Sequence, residues 1–261
     1  MITRILGILL QEYYITKRSL EVIMDLFFFS IVNIVAFGFV SKFLFTGNNG
    51  LAGHYLLAGL IFWEVIRVNQ YSMSVGALWN VWSKNLSNMF ISPMSLTEYF
   101  IAHMISGVAK SLLIFIIVSV ISILFFDFSV FKIGNFTLIA SFVNLTIFSW
   151  SIGIIILGMI FRYGTRIQAL AWGLVFLFQP LTAALFPLRI LPDFMKIVAY
   201  FFPSTYVFEA IRNGLAKPSF DLQFQSIAFV ENVFYFVLSL WIFNLLFKRS
   251  KETGQFANNE T

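Results

Sequence analysis

The chain has 261 residues, of which 59% are hydrophobic and 11% charged, with 34 phenylalanines and a mean hydropathy of +0.88. Soluble domains carry about 25% charged residues, so this composition excludes an ordinary water-soluble fold and reads as an integral membrane protein. The net charge of +5 does not make a nucleic-acid surface, because the basic residues are scattered and many flank apolar runs, and the absence of cysteine removes disulfides, thiolate nucleophiles and Cys-based metal sites.

Residues 1–25 open the chain as an amphipathic segment. Ile2, Ile5, Leu6, Leu9 and Tyr13 fall on one helical stripe, Arg4, Gln11, Glu12, Lys17 and Arg18 lie elsewhere, and Ile8 and Leu10 fall off the stripe. No small-residue cleavage site follows, so the segment is expected to persist as a helix along the cytoplasmic membrane interface, or as a polar lead-in to the first span.

A bilayer core takes about 20 apolar residues of helix. Runs of that kind are Leu26–Phe45, Leu51–Leu78, Phe100–Phe126, Phe136–Phe161, Ala169–Pro187 and Phe224–Phe247. The expected fold is therefore all-α and membrane-integral, with six spans within residues 26–247 and a cytoplasmic tail over 248–261. Lysine and arginine orient it. Arg4, Lys17, Arg18, Lys84, Arg162, Arg166, Lys248, Arg249 and Lys251 gather on one side if both termini are cytoplasmic, whereas the first two outer loops hold only Lys42 and Lys132. The third outer segment adds Arg189, Lys196, Arg212 and Lys217, diluted by Asp193, Glu209 and Asp221.

The second run is interrupted by His54, Glu64 and Arg67. An ionisable group deep in a span costs roughly 2.5–3.5 kcal/mol, so it faces a partner or water. Glu64 and Arg67, three apart, share a helix face and can pair. They serve either a polar stretch of a pathway or subunit interface, or a structural ion pair. Lys110 and Glu231 lie close enough to span ends to snorkel, and His54 and His103 lack metal-ligand spacing.

Residues 79–98, "WNVWSKNLSNMFISPMSLTE", separate the second and third runs. Trp79, Trp82, Leu86, Met89 and Phe90 recur at helical spacing while Lys84, Asn85, Ser87 and Asn88 face away. Ser92-Pro93 breaks that helix, and Ser95-Leu96-Thr97-Glu98 reads as a capping box opening the next one. A short helix with an aromatic face docks on a partner or rests on lipid headgroups. Between Pro187 and Phe224, "LPDFMKIVAYF" and "STYVFEAIRNG" read as two short helices, opened near Pro192 and Pro203, the second stopping at Asn213-Gly214. Each is about half a bilayer long. They form a re-entrant hairpin over 188–222 or lie flat on the outer surface.

Two stretches carry a resemblance. "WSKNLSNMFISPMSLTEY" (82–99) and the proline pattern of "FPLRILPDF" and "FPSTYVFEAIR" within 162–215 resemble the membrane subunits of ABC type-2 exporters. The resemblance implies that Trp82, Lys84, Asn85, Leu86, Asn88, Met89 and Phe90 form a coupling helix seated in a groove of an ATPase subunit. It also implies that the segment holding Pro192, Pro203, Glu209 and Arg212 caps the outer end of the path. Two permeases would assemble with two ATPase subunits in the cell membrane, the second copy identical or similar, and move a hydrophobic or amphipathic substrate such as a drug, lipid or lipid-linked glycan.

No Gly-Lys pair occurs in the sequence, so no P-loop is present, and this chain is expected to bind no cofactor; ATP and magnesium belong to the partner. Neither H-E-x-x-H nor G-x-S-x-G occurs, which argues against an enzyme. A motor-free carrier or membrane scaffold is the alternative class, disfavoured by the lack of an inverted repeat.

Overall fold

The computed structural model describes residues 1–45, 50–83, 94–217 and 219–253. Among these residues there is no strand. The helices are α1 (Ile2–Arg18), α2 (Leu20–Ile23), α3 (Phe29–Phe45), α4 (Gly50–Trp82), α5 (Leu96–Phe126), α6 (Asn135–Tyr163), α7 (Gln168–Leu181), α8 (Asp193–Ala199), α9 (Pro203–Ala216) and α10 (Leu222–Glu252). A π-helical turn, Met24–Phe28, joins α2 to α3.

Five helical stretches are long and apolar enough to cross a membrane: Leu20–Phe43, Leu51–Trp82, Leu96–Phe126, Asn135–Leu181 and Leu222–Glu252. The fourth and fifth expected runs fall in one stretch. They are separated only by Gly164, whose positive φ of 64° ends α6, and by the 3-10 turn Gly164–Ile167. α7 has 14 residues, about 21 Å at 1.5 Å per residue, short of the ~30 Å hydrocarbon core. The first run begins at Leu20 rather than Leu26, because Ser19, not the polar residues before Leu26, breaks the helix; its hydroxyl accepts from the Val22 amide.

The least apolar of these stretches is the most buried. The window in α4 is the least apolar of the five, at 1.4, yet it is 78% buried; α5 reaches 2.6 and is 33% buried, and α10 is 22% buried. The polar side chains explain the inversion. Glu64, Arg67, Asn69, Gln70, Ser72, Ser74 and Asn80 would be stranded in hydrocarbon on a peripheral helix, so α4 takes the centre, packed against α3, α5, α6 and α7. Phenylalanine and leucine on α5 and α10 face outward, as lipid-facing surface requires: Leu124, Phe125, Phe234 and Trp241 are all exposed. On the other flank α6 and α10 are held by a buried amide ladder. Gln225 Nε2 donates to Ser141 Oγ at 2.8 Å, Asn144 Nδ2 to Gln225 Oε1 at 2.9 Å, and Asn232 Nδ2 to the Asn144 carbonyl at 2.9 Å.

The expected capping box is present: the Glu98 amide donates to Ser95 Oγ at 3.2 Å and the Ser95 amide to Glu98 Oε2 at 2.9 Å. α8 and α9 are the two expected short helices, with Pro192 at the cap of the first and Pro203 in the first turn of the second. α9 does not stop at Asn213-Gly214 but runs on to Ala216, since Gly214 is used for close packing. A Cβ there would stand 2.7 Å from the Ile133 side chain and 3.2 Å from its carbonyl oxygen.

The N-terminal helix departs most from the sequence reading. Its inward face is Ile5, Ile8 and Glu12, whereas Ile2, Leu6 and Tyr13 of the expected stripe are exposed. Ile8, off the stripe, is 5% exposed and Ile2 72%. The physical reason is a buried carboxylate. Glu12 reaches into the α4–α5 contact, where Lys110 Nζ donates to it at 2.7 Å and His103 Nδ1 stands 3.9 Å away. Lys110 therefore does not snorkel; it turns to Glu12. Burial pushes the Glu12 carboxyl up, but the Lys110 ammonium, with His103 and the Ser106 hydroxyl, outweighs it and holds the group below its ordinary value.

Two predictions follow from this pair. Glu12→Gln leaves Lys110 without its counter-charge and destabilises the fold by about 2 kcal/mol, short of the 3–5 kcal/mol of a fully enclosed pair because Lys110 is partly exposed; Glu12→Leu combined with Lys110→Met recovers most of it, read by thermal denaturation in detergent. A carboxyl with a lowered pKa stabilises above its unfolded value and loses that contribution as pH falls through the folded one. A spin label at Gly7, where a side chain meets nothing within 4 Å, should keep its mobility from pH 8 to 5 and loosen only below the usual carboxylate range.

Candidate functional site

One end of the bundle collects the elements that flank residues 84–93. Trp82 closes α4 and Ser95 opens α5, and α1 is bonded to both stems. Gln11 Nε2 donates to Asn80 Oδ1 at 2.9 Å, one turn before Ser83; Arg4 Nη2 lies 3.0 Å from Glu98 Oε1, the capping residue of α5. Asn80 Nδ2 in turn reaches Tyr99 Oη at 3.3 Å, tying the stems together. The C-terminal ends of α6 and α10 meet at the same end: Arg162 Nη1 donates to the Arg249 carbonyl at 2.9 Å and to Thr253 Oγ1 at 2.8 Å. Most of the basic residues expected on the inner side belong to elements ending here, namely Arg4, Lys17, Arg18, Arg162, Lys248, Arg249 and Lys251.

Of the expected coupling residues, Trp82 is described. It is 38% exposed, stacked on Trp172 of α7 at 5.8 Å and edge-on to Trp79 at 5.3 Å. It terminates the long α4 rather than opening a separate helix. Lys84, Asn85, Leu86, Asn88, Met89 and Phe90 lie outside the described residues.

Glu64 and Arg67 do pair, deep in α4. Arg67 Nη2 stands 2.7 Å from Glu64 Oε2, and Arg67 Nε donates to the same oxygen at 2.9 Å. The rest of the guanidinium explains the π turn before α3. A π turn displaces carbonyls from the regular ladder, and here Arg67 Nη1 takes the Asp25 carbonyl at 2.9 Å while Nη2 takes the Leu26 carbonyl at 3.3 Å and Ser30 Oγ at 2.6 Å. The pair is thus a buried rivet between α3 and α4. Gln70, one turn further, fixes α7: its Nε2 donates to the Ala171 carbonyl at 2.9 Å.

At the opposite end, Glu209 and Arg212 form a second rivet. They stand 2.8 Å apart; Arg212 Nη1 donates to the Ala183 carbonyl at 3.0 Å, and the Leu188 amide donates to Glu209 Oε1 at 2.9 Å. Ala183 carries a positive φ of 51°, at the bend where α7 gives way to the outer segment. Nearby, Gly59 of α4 leaves no room for a side chain, because its Cβ would overlap the Ala184 carbonyl. Glu209 and Arg212 are therefore brought together with the α7 bend, while Pro192 and Pro203 only start helices. Asp193, on the exposed outer helix, is held below its ordinary value by its hydrogen bond and charge contact with Lys196.

The family model described as ABC-2 type transporter matches residues 10–216. The chain belongs to the ABC-2 type transporter family. It is a multi-pass membrane protein and the permease component of an ABC transporter, a family that normally works with an ABC ATPase partner. Comparison with individual curated proteins finds no match. The match takes in α1 from its middle, the stems around residues 84–93, and the outer helices α8 and α9. Among the described residues no group of His, Cys, Asp or Glu is placed to hold a metal ion.

The residues whose contacts sequence reasoning missed are Glu12, Gln11 and Asn80, all polar and each buried or half-buried. Arg67→Leu should cost about 3–5 kcal/mol, since it strands Glu64 in the interior. Adding Glu64→Leu should restore part of that but not the Asp25 and Leu26 carbonyl partners; the check is denaturation of both variants in detergent. If the pair is a rivet, the double variant that still folds keeps its transport activity.

Proposed function

We propose that this permease spans the membrane six times, with α7 as a short fifth span and both termini in the cytoplasm, and that a separate ATPase subunit docks on residues 79–98. The observation that carries the reading is the convergence at one end of the bundle. The two stems of the proposed handle, the N-terminal helix and most of the basic residues lie there together, as positive-inside orientation requires of a cytoplasmic face. In this reading α1 lies at the membrane interface, with Leu6, Leu10 and Tyr13 in lipid and Ile5, Ile8 and Glu12 against the bundle.

The handle then has stiff roots. α4 runs from Trp82 to Gly50 as one helix of 33 residues, about 50 Å, long enough to convey movement from the motor to the outer segment near Ala184. Two permeases with two ATPase subunits would form the working exporter, ATP and magnesium being held by the ATPase alone. α8 and α9 would cap the outer end of the path, held to the α7 bend by Glu209 and Arg212. The cargo is hydrophobic or amphipathic, a drug, lipid or lipid-linked glycan, in keeping with the apolar exposed surface of the spanning helices.

Replacing Trp82, Asn85 and Phe90 with alanine should abolish copurification of an ATPase subunit in detergent while leaving the permease folded. Retention of the ATPase by that variant, or failure of the intact permease to capture any ATPase subunit, contradicts the docking assignment.

A further inference from the structure

Next to Trp82, which it shares with the proposed coupling segment, the bundle opens into a cleft. Its outer chamber has a volume of about 640 Å³, lined by Trp79, Trp82, Trp172 and Tyr71 together with half-buried Asp25 and exposed Glu21. A second chamber of about 340 Å³ shares Asp25, Tyr71 and Trp172 with the first and continues inward past Phe176 to Arg67. Together they fall in the size range of small-molecule sites.

Three features of the cleft point to one kind of ligand. First, both of its carboxylates lack an ion pair among the described residues. Among the described residues no lysine or arginine lies within ion-pair distance of Asp25 or Glu21, although other carboxylates here have such partners, Glu12, Glu64, Glu98 and Glu209 among them. Second, the Asp25 carboxylate accepts from two aromatic donors. Trp172 Nε1 donates to its Oδ2 at 3.2 Å and Tyr71 Oη to the same oxygen at 3.4 Å, which fixes the carboxylate without neutralising it. Third, the lining is aromatic: Trp82 and Trp172 stack with planes 18° apart, and Trp79 meets Trp82 edge-on. Aromatic walls about a fixed negative charge attract a large, weakly hydrated cation through both ring quadrupoles and Coulomb energy.

We propose that this cleft binds amphipathic organic cations, an onium or protonated-amine head with an aromatic or alkyl body, and that such cations are the substrate class of the exporter. The substrate role rests on the permease reading above; the binding does not. The head sits beside half-buried Asp25, with exposed Glu21, four residues earlier, at the mouth of the cleft. The body lies against the three tryptophans. Arg67, at the inner end, is neutralised by Glu64, so it neither repels the head strongly nor offers an anion an open partner. A zwitterionic phosphocholine fits less well, because its phosphate would face the same two carboxylates.

The test uses tetraphenylphosphonium and its anionic counterpart of like shape, tetraphenylborate, with the purified full-length permease in maltoside detergent. Free phosphonium is followed with a selective electrode. Saturable binding of the phosphonium is expected, weakened at least tenfold in Asp25→Asn and about threefold in Glu21→Gln, with no saturable binding of the borate. Equal binding of the borate, undiminished binding by a folded Asp25→Asn, or equal competition by dodecylphosphocholine overturns the proposal. Should Asp25→Asn fail to fold, Glu21→Gln on the exposed α2 carries the test alone: unchanged affinity overturns the proposal. A permease that captures an ATPase yet binds no phosphonium sinks the cleft and leaves the exporter standing. Phosphonium binding without ATPase capture does the reverse.

Discussion

The whole arrangement depends on one constraint: the polar groups of α4 have no water to turn to. A helix carrying Glu64, Arg67, Asn69, Gln70, Ser72 and Ser74 can cross a bilayer only if neighbouring helices satisfy them. Four of its neighbours are accordingly placed by polar side chains of α4. Arg67 binds the carbonyls that the π turn before α3 releases, Gln70 binds the backbone of α7, and Asn80 binds both α1 and α5. The apolar helices α5 and α10 then need only cover what remains, and their exposed leucines and phenylalanines meet lipid.

This economy links the two ends of the molecule. The same α4 that ends at Trp82, beside the proposed motor handle, is pressed at Gly59 against the bend where α7 enters the outer segment. Movement imposed at one end is not absorbed by a flexible joint within α4, since its side-chain bonds run to four separate neighbours. The N-terminal helix adds a strap across the handle's roots, through Gln11 on one side and Arg4 on the other.

Much of the fold is legible in the sequence, and the failures share one cause. Apolar run length locates the helices, the Ser95–Glu98 pattern marks the start of α5, and Pro192 and Pro203 mark α8 and α9, because each depends on chemistry local to the chain. The inward face of α1 was not legible. Periodicity marks where apolar residues recur but cannot separate a lipid-facing stripe from a protein-facing one, and the residue that decides it, Glu12, answers to Lys110 nearly a hundred positions away. The same applies to Asp25 and Trp172, which meet only because Gln70 fixes α7. Glu64 and Arg67 were legible as a pair, but their third partner, a π turn, leaves no mark in residue type. The single stretch from Asn135 to Leu181 shows the limit of counting spans by apolar length: Gly164 divides it by backbone conformation alone.

The central claim is that a separate ATPase drives this permease from the face bearing α1, Trp82 and the end of α10. The most direct measurement is ATP hydrolysis by permease and ATPase subunit reconstituted together in sealed vesicles of known orientation, with nucleotide supplied to one face at a time. The account predicts vanadate-sensitive hydrolysis that responds to the permease and occurs only when ATP reaches the face carrying Arg162 and Arg249. Hydrolysis indifferent to the permease, or supported from the face carrying Asp193 and Lys196, would contradict it.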